Sequence, residues 1–189
     1  MSFDTSRSLL EAVANSMVGK HLQQVLYYGL DYDLRQPWWY DEDFDLDSVE
    51  LGVDLVFDDA STVSVAWGME FSQWNLSINN FSLAKDRGAA TVVDVTAVSR
   101  WSERIHQRIA SVIIYWSYWI ERGDQHLYYP QDLRLEFESG LAAYLCVSQP
   151  VPDHGLVPAC DQIAIIFNEK VAERFQLGPY APSLPAHPG

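Results

Sequence analysis

The spacing of apolar residues alternates between a helical and a strand period, and does so in similar order in both halves of the chain. From residue 5 to 18, Leu9, Val13 and Met17 fall four apart with Leu10 beside them, the repeat of an amphipathic helix. Thr5 or Ser6 can accept the first free backbone N–H groups, and Gly19 supplies a stop. From His21 to Tyr32 the branched and aromatic residues favour a strand. Strict alternation follows: Val53, Leu55 and Phe57 on one side, Asp54, Val56 and Asp58 on the other. A polar turn then leads into Val63, Val65 and Trp67, which is the pattern of an antiparallel hairpin with one buried face. Trp74, Leu76 and Ile78 predict a further short strand before the turn residues Asn79 and Asn80, and residues 91–98 predict another.

The second half repeats these periods. Trp101, Ile105 and Ile109 predict a helix opening at Ser99. Residues 110–120 are apolar on both faces, so this strand is expected to be central and covered on both sides. Leu133, Leu135 and Phe137 then alternate with Arg134, Glu136 and Glu138, and Ser139-Gly140 makes the turn of a second hairpin. A strand at 162–167, a short helix at 168–176 and Gly178 complete the pattern. The helices match at an offset of 92 and the hairpins at 80, and the twelve-residue difference falls in residues 33–48. The reading is an internal duplication of a helix-strand-hairpin-strand unit, with pseudo-repeats at 5–80 and 97–176. Chance similarity of two amphipathic patterns is the competing account.

The expected fold is a single α+β domain over 1–178 with a proline-rich tail at 179–189. Its sheet is largely antiparallel, with two helices on one face. Asp54, Arg134 and Glu136 are expected to face solvent on the other. Two separate sheets, one per copy, are the alternative arrangement. A chain of 189 residues that is 48% hydrophobic and 13% aromatic can build such a core.

Charge singles out one stretch. Residues 31–59 hold eleven Asp or Glu against the single Arg35, a net ten of the chain's fourteen negative charges. Pro37 and the dense Asp content predict a long excursion over 33–48 rather than a regular element. Its adjacent aromatics suggest a contact surface, with Trp38, Trp39 and Tyr40 as anchors among Asp41, Glu42, Asp43, Asp45 and Asp47. The competing account is a solvated acidic loop whose tryptophans pin it to the body. A net charge of -14 disfavours nucleic acid and anionic membranes and favours a basic protein partner.

The sequence carries no catalytic or metal-binding signature. His21, His106, His126, His154 and His187 lack paired metal-ligand spacing, and neither HExxH nor Cys-x-x-Cys occurs. Gly19-Lys20 sits in no phosphate-binding loop, and no G-x-S-x-G elbow is present. A calcium loop starting at Asp41 would need glycine where Leu46 stands and glutamate where Gly52 stands. Cys146 and Cys160 read as small hydrophobes rather than a disulfide framework. The N-terminal stretch lacks a signal pattern and no run is apolar enough for a membrane helix, so a cytoplasmic protein without cofactors is expected.

A small, acidic α+β chain without catalytic motifs resembles the immunity proteins of bacterial polymorphic and contact-dependent toxin systems, in size, charge and layout. The resemblance implies a non-enzymatic binding protein that occludes the active site of a cognate toxin, often a basic nuclease. No shared motif carries it, so it transfers no binding residues. Two other classes compete: a carbohydrate-binding or glycan-processing protein that stacks sugars on its tryptophans, and an assembly subunit that pairs through the aromatic strand 113–119.

Overall fold

The computed structural model describes residues 2–30, 38–71, 74–85, 91–97, 100–120 and 126–184. The fold is α+β, antiparallel and dominated by sheet. Helix α1 (Phe3–Asn15) is followed by strands β1 (Leu22–Gly29), β2 (Tyr40–Asp41), β3 (Leu46–Val49), β4 (Gly52–Phe57), β5 (Thr62–Gly68), β6 (Asn75–Asn79) and β7 (Thr91–Asp94). The second half holds β8 (Ile109–Ile120), β9 (His126–Phe137), β10 (Ala142–Val151), β11 (Gly155–Ile166) and helix α2 (Glu169–Arg174). Among the described residues no helix is long and apolar enough to cross a membrane.

The strands form two sheets, ordered β6-β5-β4-β1-β7 and β2-β3-β11-β10-β9-β8. Their period-2 alternation lets the inner faces meet as one core. Val53, Leu55, Phe57 and Val65 from the first sheet pack with Leu133, Leu135, Leu145 and Ile163 from the second. The alternative of one sheet per half is thus nearly realised, except that the acidic segment's β2 and β3 leave the first half and extend the second sheet. Helix α1 fills the space beside β6 and β8, and α2 covers the outer side of the second sheet over Tyr144, Cys146 and Ile166. Cys146 and Cys160 are both free thiols, the first buried and the second half-buried.

Several expectations are corrected. In α1 the buried stripe is Leu10 and Ala14, continued by Met17, whereas Leu9 is exposed. The second helix does not form: Arg100–Glu103 makes one 3-10 turn, and His106 adopts a left-handed φ of 64° that ends it. The chain at 106–109 instead pairs with the segment entering β1, Leu22 N donating to Gln107 O and Ile109 N to Lys20 O. Strand β8 is not central but the outer strand of its sheet, with Trp119 and Ile120 exposed. Asp54 does not face solvent. It is fully buried, accepting hydrogen bonds from Tyr28 Oη (2.8 Å), Ser82 Oγ (2.6 Å) and Leu83 N (3.1 Å). Arg134 and Glu136 are half-buried and paired with each other.

The two halves share their strand order, β1-β4-β5-β6 and β8-β9-β10-β11, each an up-and-down meander. Leu22 pairs with Phe57 as Ile109 pairs with Phe137. His21 and Arg108 meet in an antiparallel bridge, and each carries the same local contacts. Asp58 N donates to His21 O and Glu138 N to Arg108 O, while the Asp58 carboxylate lies 2.9 Å from His21 Nδ1 and the Glu138 carboxylate 2.8 Å from Arg108 Nη1. Antiparallel self-pairing of corresponding positions has the geometry of a local two-fold axis. These contacts support internal duplication, which stands as a proposal about origin. The correspondence differs from the expected one at the first strand, which aligns at an offset of 87, and where the first half diverts into β2 and β3 the second extends β8 and β9.

Candidate functional site: an acidic hairpin at the sheet edge

The segment expected to be an irregular excursion contains a β-hairpin from residue 40 to 49, added to the edge of the second sheet. Tyr40 pairs with Asp47 and Asp41 with Leu46, and β3 runs antiparallel to β11, where Ile163 faces Val49. Residues 31–37 lie outside the described residues.

Apolar burial fixes the hairpin. Trp39 retains 8% exposure and packs edge-on against Tyr27 at 6.3 Å between ring centroids, while Phe44 stacks on Phe175 at 5.9 Å. Trp38 is half-buried, edge-on to Trp39 at 5.7 Å. It covers Gly29 so closely that a Cβ there would lie 2.3 Å from its ring, so only glycine admits this approach.

A buried polar network holds the hairpin from below. Asp47, 2% exposed, accepts a hydrogen bond from Tyr27 Oη at 2.7 Å, and Tyr27 Oη accepts one from Trp101 Nε1 at 2.6 Å. Burial pushes the Asp47 pKa up to about 6, against the opposing effect of the Tyr27 hydrogen bond and Arg100. Desolvation, reinforced by the Asp47 charge, also raises the Tyr27 phenol well above its ordinary range. Arg100 Nη1 bonds Asp45 at both its carboxylate (3.0 Å) and its carbonyl (3.1 Å), and the guanidinium lies 5.3 Å from the Tyr40 ring centroid. Beneath it Arg104, 2% exposed, donates to the carbonyls of Ala142, Arg100 and Phe167.

The eight residues expected to touch a partner therefore divide. Trp39 and Asp47 are interior, because a large ring and a desolvated carboxylate with its own donor are more stable packed than solvated. The expectation of Trp39 as an exposed anchor and of Asp47 as a contact carboxylate is corrected: they hold the hairpin to the body. Asp45 is engaged by Arg100, and Trp38 is half-buried. Tyr40, 42% exposed, stands at the surface with Glu42 and Asp43, and Asp41 shapes the turn by accepting from Asp43 N (3.1 Å) and Phe44 N (3.2 Å). Sequence reasoning missed Tyr27, just before the segment, and Arg100, Trp101 and Arg104, which lie far from it in sequence; none carried a signal beyond its residue type.

Among the described residues no group of three His, Cys, Asp or Glu side chains is placed to hold a metal ion. Fold and site together define a two-sheet α+β protein with an acidic hairpin at one edge. Compared with protein-family models, curated proteins and solved structures, the chain finds no match.

Proposed function

We propose that this is a non-enzymatic binding protein that takes a basic protein partner at the tip and edge of the 40–49 hairpin, in the manner of an immunity protein neutralising a toxin. The observation that supports this reading is the division of labour within the hairpin. Trp39, Phe44 and Leu46 are buried and hold the turn, while Glu42 and Asp43 are exposed. Anchored carboxylates lose little conformational freedom on binding, and their field steers a basic surface toward them over about 8–10 Å at ordinary ionic strength. A short, acidic edge strand also discourages edge-to-edge association of the protein with itself, and both uses require the same exposed carboxylates.

The test is a binding measurement with the product of a gene adjacent to this one that encodes a basic protein, if one is present there, by surface plasmon resonance at several salt concentrations. The double variant Glu42→Lys/Asp43→Lys is expected to slow association by about tenfold at low salt, the scale of electrostatic steering. Complex formation with identical kinetics in the variant would overturn the site. Absence of any complex with the native protein would count against the partner reading itself.

A further inference from the structure

We propose that the protein associates with a second copy of itself through β8, the two β8 strands pairing antiparallel across a two-fold axis so that their six-stranded sheets join edge to edge. This surface is separate from the acidic hairpin and does not depend on what that hairpin binds.

Strand β8 has the composition of a covered, central strand and the position of an edge. Its 12 residues include no charged residue, no proline and no glycine. Residues 111–118 are half-buried, while Trp119 and Ile120 are 40% and 63% exposed. At its start the outer side is engaged: Ile109 N donates to Lys20 O, and Ile109 O accepts from Gly19 N. Beyond that point, among the described residues, no backbone hydrogen bond joins 111–120 to any element except β9. Helix α1 lies against the inner face, with Phe3 and Arg7 packed on the Trp116 ring, and makes no bond to the strand's backbone. A long apolar edge with free N–H and C=O groups is a template for one more strand.

The other edges carry features that block such pairing. Strand β2 is 2 residues long and acidic, and β7 is 4 residues long and ends in Asp94. Strand β6 has α1 beside it, and Asn75 Nδ2 donates to the carbonyl of Leu76 at 2.9 Å. Where β11 runs on past β3, it carries Pro158, and residues 159–162 bulge out of the ladder with Ala159 at a φ of 56°. Strand β8 has none of these features.

Register and charge both fit a second copy. From Ser111 onward β8 is regular, its one extra residue, Ala110, lying just before. Same-face side chains oppose each other only when the two-fold axis passes through a residue position. An axis through Tyr115 pairs the whole stretch with itself, setting Ser111 against Trp119, Val112 against Tyr118, Ile113 against Ser117 and Ile114 against Trp116. Every pair is uncharged, and two of them set a serine against a larger side chain. The sheet order puts the acidic hairpin at one edge and β8 at the other. At about 4.8 Å per strand, the dimer therefore holds its two hairpins about 50 Å apart along the joined sheet, several times the screening length of about 8–10 Å. Like charge does not oppose this contact, and each copy keeps its hairpin free. A basic partner, by contrast, is drawn to the hairpin and not to an uncharged edge.

The test is sedimentation equilibrium of the full-length protein across the micromolar range, where a reversible species of twice the 21.5 kDa chain mass is expected. The double variant Ile113→Lys/Trp119→Lys places charge on the edge and is expected to weaken association about tenfold or more, with circular dichroism showing that it is folded. A second measurement covers the case in which that variant does not fold. In a Cys160→Ser background, where the remaining Cys146 is buried, Tyr115→Cys is expected to cross-link between copies with a short bismaleimide about tenfold faster than Val92→Cys on the edge strand β7. A monomer at every concentration, an open-ended assembly in place of a dimer, unchanged association in the folded lysine variant, or equal cross-linking at the two positions would each overturn the proposal.

Discussion

Asp54, Asp47 and Asp132 read alike in the sequence, each an acidic residue next to apolar ones, yet the fold treats them differently. Asp54 is buried with three donors, Asp47 with the Tyr27 hydroxyl and a guanidinium 3.9 Å away, and Asp132 with one backbone N–H and the Cys146 thiol. Burial raises the Asp132 pKa from 3.8 to about 6. The consequence for stability follows from the sign of that shift. Below pH 3.8 the folded and unfolded chains both hold the proton and the contribution is fully present; as pH rises through about 6 the folded state must carry a desolvated charge and the contribution is lost. The amount is on the order of 3 kcal/mol at 1.36 kcal/mol per unit. Asp132→Asn, which cannot ionise but still accepts from Gly178 N, is therefore expected to gain stability relative to the native protein between pH 4.5 and pH 7.5. Urea denaturation at the two pH values measures this, and a constant difference between the two proteins would refute it.

At the scale of elements, the two hairpin turns offer an internal comparison. Residues 57–61 and 137–141 close with matching backbone hydrogen bonds, Phe57 N to Ser61 O and Phe137 N to Leu141 O. The turn residue needing a left-handed φ is Ala60 (62°) in one and Gly140 (85°) in the other. A Cβ at Gly140 would meet nothing within 4 Å, so Gly140→Ala tests backbone conformation alone. It is expected to lower stability by about 1 kcal/mol, whereas Ala60→Gly is expected to be neutral or raise it by up to about 1 kcal/mol. Opposite-signed shifts in the denaturation midpoints of the two variants would bear this out; a loss in both would show that the turns are not equivalent. The hairpins were legible in the sequence because strand alternation and turn residues are local signals. The second helix was misread for the converse reason. Its four-residue spacing is real, and Trp101 is buried, but Ile109 belongs to β8 and the backbone at 106–109 finds its partners in residues 19–22. Nothing within that stretch reports the partner.

For the whole molecule, the two sheets bury one face each against the other, and the acidic hairpin of the first half completes the second sheet. The largest core is thus shared between the halves, and the cluster that the first half holds alone is the small one of Tyr28, Leu51, Ala66 and Leu83. Residues 1–97 expressed alone would expose Val53, Leu55, Val65 and Ile78 along one sheet face, and would leave Trp39 and Leu46 without the strand they flank. The fragment is expected to be unfolded or aggregated, by circular dichroism and amide chemical-shift dispersion. A monomeric fragment with a dispersed spectrum would show that the halves are independent units. The acidic segment's place in the chain was visible in composition, but its side chains' roles were not. Within Trp38–Tyr40 and Asp41–Asp47 the side chains divide between interior and surface, and the strand that covers β3, β11, lies more distant in the chain.

What the sequence by itself determined is the α+β class, the antiparallel hairpins and the location of the charge. These follow from periodicity and turn chemistry, which act over a few residues. Only tertiary structure decided that there are two sheets rather than one, that β8 is an edge, and that Trp39, Asp47, Asp54 and Asp132 are interior. Each of these depends on which distant strand lies alongside, and a two-residue alternation specifies a face without naming what will cover it.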